Sequence, residues 1–60
     1  MNFIVTYDKQ GSEKSKNAKS KIVAANSWQD AKEKVEKSGN IVNTVVSVLT
    51  GSIEYEKALQ

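Results

Sequence analysis

The chain has 60 residues with no cysteine, histidine or arginine, and its nine lysines outnumber its seven acids to leave a net charge of +2. A chain this short forms one domain at most and buries only ~60% of its unfolded surface, so its core is thin. The composition excludes disulfides, thiolate metal sites and all chemistry that needs an imidazole.

No apolar run approaches the ~20 residues that cross a bilayer. The opening MNFIVTYDK lacks the basic and long apolar regions of a secretory signal. The expectation is a cytoplasmic protein without membrane contact.

Residues 2–7, NFIVTY, read as a strand with Phe3, Val5 and Tyr7 on one face and Ile4 and Thr6 on the other. Residues 8–20 are polar, with Gly11 and several serines, and form either a hairpin arm or a loop. Lysine is concentrated over residues 9–21, where Lys9, Lys14, Lys16, Lys19 and Lys21 stand against Glu13 alone. KIVAA at 21–25 reads as a second strand that runs straight into a helix start.

SWQDAKEKVEKSG, residues 27–39, has the clearest helical periodicity in the chain. Ser27 suits an N-cap, and Asp30 stands three residues on, close to a capping box. Trp28, Ala31 and Val35 share one stripe, which sets Trp28 against a sheet as packing rather than out in solvent as a stacking platform. Asp30–Lys34 and Glu33–Lys37 have the favourable i,i+4 order, worth only ~0.2–0.5 kcal/mol each. Gly39 can turn left-handed at the C-terminus. A helix of about three turns is marginal alone in water, so its apolar stripe must find a sheet.

IVNTVVSVLT, residues 41–50, is the strongest β signal. It carries no charge and has apolar residues on both alternations, as a strand that is central, or buried on both faces, would. Thr50, Gly51 and Ser52 signal a turn. IEYE at 53–56 alternates Ile53 and Tyr55 with two glutamates, as a half-buried strand does; a short helix over 52–59 is the competing reading.

The expected fold is therefore α+β, with residues 1–60 as a single domain. A three- or four-stranded, mainly antiparallel sheet in the order 2-1-3-4 carries one helix, about 27–38, on one face. Strands 2 and 3 are joined through the helix and run parallel. One helix roofs one face only, so the face holding Ile4 stays partly bare, and a bare apolar face points to a partner.

The parts for catalysis are missing. Serines are plentiful, but no familiar nucleophile and base can be assembled, and a Ser–Lys dyad at Ser15 or Ser20 would sit in a solvated stretch. Asp30, Glu33 and Glu36 are interleaved with lysines, which marks an ordinary wet helix surface. There is no phosphate-binding glycine loop, no metal-ligand spacing, and no cofactor to expect.

The run Ala25, Asn26, Ser27, Asp30, Ala31, placed between two strands, resembles a helix start met in small phage-encoded β-β-α-β proteins. Several of those bind and inhibit host proteins, and the resemblance implies a similar role. The expected function is a non-enzymatic protein-binding module, with an inhibitor of a host protein or defence system as its specific form. Lys9, Lys14, Lys16, Lys19, Lys21 and Ile4 are the candidate contacts. One alternative is salt-dependent, sequence-independent nucleic-acid binding through Lys9–Lys21, where bidentate arginine readout is absent and aromatic interleaving is missing. Another is self-association, as a homodimer, through the bare face or the Val-rich strand.

Overall fold

The computed structural model describes residues 1–9 and 19–57. Its elements are β1 (Asn2–Lys9), β2 (Lys19–Ala24), α1 (Trp28–Glu36), β3 (Asn40–Ser47) and β4 (Ile53–Glu56). The four strands form one sheet in the order β2-β1-β3-β4. β1 is antiparallel to both β2 and β3, so those two run parallel to each other, and β4 is antiparallel to β3. The fold is the expected α+β sheet, with a single helix among the described residues.

The helix begins where its local chemistry says it should. Ser27 is extended, and its hydroxyl accepts from the Asp30 N–H at 3.2 Å. The Asp30 carboxylate reaches back to the Asn26 N–H at 3.2 Å, which satisfies a second donor at this end. At the far end, Gly39 has φ +84° and donates to the Glu36 carbonyl at 2.9 Å. The Asn40 amide covers the Val35 carbonyl at 3.2 Å. Lys34 bridges loosely to Asp30 at 3.6 Å and donates to the Ala24 carbonyl at 2.9 Å, so it ties the helix to the end of β2. The second helix pair forms between Lys32 and Glu36 at 2.8 Å; the expected Glu33–Lys37 pair is absent among the described residues.

The core lies between helix and sheet. Ala31 and Val35 of α1 pack on Phe3 and Val5 of β1, Val23 of β2, Ala25, and Val42 and Val45 of β3. Trp28 closes one margin of this cluster by stacking on Tyr55, with ring centroids 5.6 Å apart and planes 14° apart. Such a pair adds about 0.5–1.5 kcal/mol beyond its area. It also ties the edge strand β4 to the helix at this margin.

Two bulges correct the simple alternation. In β3, Thr44 pairs with Thr6 but Val42 pairs with Tyr7, so Asn43 is extra. Val42 and Val45 therefore share the helix side, although strict alternation would separate them. In β4, Val45 pairs with Tyr55 and Val46 with Ile53, leaving Glu54 extra. Tyr55 turns to the helix side and Ile53 to the opposite one, so the expected shared face of Ile53 and Tyr55 does not form.

β3 also stops at Ser47, short of the Thr50 that its composition suggests. The Ser47 hydroxyl accepts from the Thr50 N–H at 3.4 Å, and its carbonyl accepts from Gly51 at 2.7 Å, where φ is +74°. This turn leaves Leu49 81% exposed. β3 is central in the sheet but buried on one face only. Residues 53–56 are a strand, and not the competing helix.

Candidate functional site

The face of the sheet away from α1 carries a row of aliphatic side chains that crosses all four strands. Ile22 pairs with Ile4, Ile4 with Val46, and Val46 with Ile53. Register places them side by side, because directly opposed residues in an antiparallel pair share a face. Ile22 is 66% exposed, Ile53 60% and Ile4 38%; Val46, flanked on both sides, is half-buried. The neighbouring row is polar: Ser20, Thr6, Thr44 and Glu56. Beyond the bulge, Asp8 pairs with Ile41 and accepts from the Asn43 amide at 2.8 Å. On the other flank Val48 is exposed and its N–H meets the Asn2 carbonyl at 3.1 Å.

Ile4, expected on the bare face, stands near the centre of this row. Ile22, Val46 and Ile53 were not in the sequence-based set. Ile22 and Ile53 lie far from Ile4 along the chain, and only strand register brings them beside it. The Glu54 bulge hides Ile53 from any reading that assumes strict alternation.

The lysines lie elsewhere. Lys21 pairs with Val5 and Lys19 with Tyr7, so both project on the helix side of the sheet, opposite Ile4. The Lys21 ammonium stands 5.6 Å from the Tyr7 ring centroid. Lys9, exposed at the end of β1, pairs with Asn40. Lys14, Lys16 and most of the 8–20 segment lie outside the described residues. The structure thus separates the candidate contacts into an aliphatic face and, on the other side, a basic margin at β2. Tyr7 is the aromatic neighbour of those lysines, placed there by pairing across two strands.

A second cation stands over an aromatic ring on the helix side. The Lys32 ammonium is 5.3 Å from the Tyr55 centroid. Its hydrogen bond to the Glu36 carboxylate, reinforced by that charge and by nearby Glu33, holds the Lys32 pKa above its ordinary 10.5 despite slight desolvation. This cluster braces α1 against β4. Among the described residues, no group of three metal-ligating side chains gathers and no helix is long and apolar enough to cross a membrane.

No protein-family model, no curated protein and no solved structure matches this chain.

Proposed function

We propose that the chain is a non-enzymatic protein-binding module whose contact surface is the open sheet face centred on Ile4 and Val46. The observation that carries this reading is the continuous Ile22–Ile4–Val46–Ile53 row exposed on a well-built sheet. Single exposed aliphatics are ordinary, but a contiguous row rimmed by polar residues is the usual composition of a contact surface. The face is preformed, because both flanking margins are fixed by strand pairing, so a partner pays little ordering entropy here. In its specific form, suggested by the helix start at Ala25–Ala31, the module is a phage-encoded inhibitor of a host protein.

The test is recovery of proteins from a bacterial lysate by the chain and by an Ile22→Thr/Ile53→Thr variant. Threonine keeps the β-branch and removes the apolar contact. A stoichiometric protein held by the parent chain and released by the variant supports the reading. Identical recovery by both, or none by either, sinks it.

Self-association through the same face is the second reading, because an aliphatic row is complementary to its own copy. Strands about 4.8 Å apart and roughly six residues long give a projected footprint on the order of 400 Å². A stable interface takes about 800 Å² per partner. The face alone supports a weak dimer at most, and a tight complex must reach beyond it.

A further inference from the structure

We propose that the outer edge of β2 receives an extended acidic segment of a partner protein as a fifth strand. The proposal goes beyond the open face, which a partner could occupy without touching the edge.

The two edges of the sheet differ in how they are protected. β4 is four residues long, is bulged at Glu54 and carries two glutamates. Short length, a bulge and charge are the usual devices that stop a strand from pairing onward. β2 runs six residues in unbroken register with β1 from Lys19 to Ala24, and only Val23 is buried. Among the described residues no strand lies beyond it, and apart from the Ala24 carbonyl, which Lys34 already covers, no hydrogen bond reaches its outer backbone groups.

The side chains of β2 specify what fits. Lys19 and Lys21 project on the helix side, and Ile22 projects on the open side with Ser20 and Ala24. A strand laid antiparallel along this edge sets each residue directly opposite one of these, on the same face. Carboxylates are favoured opposite Lys19 and Lys21, and an aliphatic residue opposite Ile22 lengthens the apolar row by one member. The segment that fits therefore alternates acidic and aliphatic residues. In the registers that set Lys21 opposite Lys21 or Lys19, the same lysines disfavour pairing of β2 with a second β2. They also attract an acidic segment during encounter. Backbone hydrogen bonds would supply affinity, and the alternating side chains specificity.

The test uses a blocked peptide of about six residues alternating glutamate and valine, titrated into the whole chain while backbone amides are followed by NMR. Two control peptides carry lysine in place of glutamate, or N-methyl groups on alternate backbone nitrogens. The expected result is shift changes along Lys19–Ala24 and new exchange protection at the outward amides of Ser20 and Ile22, with affinity falling as salt rises. Lys19→Glu/Lys21→Glu weakens binding roughly tenfold while circular dichroism confirms an unchanged fold. The lysine peptide and the N-methylated peptide bind poorly.

Equal binding of all three peptides overturns the proposal, as does no binding at millimolar peptide. Shifts confined to Ile4, Val46 and Ile53 overturn it too, while leaving the open-face reading intact. Protection of β2 that grows with the chain's own concentration, without peptide, would assign the edge to a second copy and overturn it as well.

Discussion

On one face of the sheet, Phe3, Val5, Val42 and Val45 are sealed under α1; on the other, Ile22, Ile4, Val46 and Ile53 meet water. The side-chain chemistry of the two sets is nearly the same, and both are arranged by the same strand pairings. What differs is the presence of a roof. Among the described residues there is one helix, and Ala31 and Val35 commit it to a single face. Aliphatic residues on the helix side therefore stabilise the fold, while those on the open side contribute little to it and remain available for contact.

That contrast breaks most directly through substitutions on the two faces. Phe3→Ala removes a large buried side chain, with a typical cost of about 3–5 kcal/mol. Total stability for a domain of this size is only about 3–9 kcal/mol, so urea denaturation should find the variant largely unfolded or close to it. Retention of most of the parent stability would show that the helix side is not the core.

Capping sharpens the comparison at the next level. Ser27→Ala loses the hydroxyl acceptor for Asp30 N–H and should cost about 1 kcal/mol in chemical denaturation. A negligible change would mean that tertiary packing alone fixes where the roof begins.

On the open face, Ile22→Thr and Ile53→Thr should each shift stability by less than about 0.5 kcal/mol, as at ordinary exposed positions. A loss of 2 kcal/mol or more, taken as roughly the cost of a buried aliphatic, would show that this face is closed in solution. Sedimentation of the parent chain then separates closure by a second copy from closure within one chain.

The smallest effect is electrostatic. The Lys32 pKa is raised in the folded state, chiefly by its hydrogen bond to Glu36, so the pair's contribution is fully present below the ordinary 10.5 and is lost as pH rises through the higher folded value. Lys32→Gln should leave stability nearly unchanged at neutral pH, because the pair is exposed. It should slightly flatten the decline in stability that the parent shows above pH 10.5. An identical alkaline decline in parent and variant would remove Lys32 from the account.

Much of the architecture was legible in the residues themselves. Ser27, Asp30 and Gly39 mark the ends of α1 by local hydrogen-bonding and φ requirements, and the period of Trp28, Ala31 and Val35 marks its buried stripe. Strand order follows from the antiparallel pairing of β1 with β2 and the helical crossover between β2 and β3. These signals are local, so neighbours in sequence suffice to state them. The candidate site was only partly legible. Ile4 could be placed on the open face by alternation, but the five lysines were grouped by proximity in sequence, and pairing sends Lys19 and Lys21 to the other side of the sheet.

The sequence by itself determined the order β-β-α-β, the start of the helix and the scarcity of roofing for so many aliphatic residues. Only the tertiary structure decided which aliphatics lie exposed together. That choice depends on register across four strands and on bulges at Asn43 and Glu54, each of which reverses the facing of the residues beyond it. A bulge is a matter of two backbones in contact, and one strand's own side-chain period does not encode it.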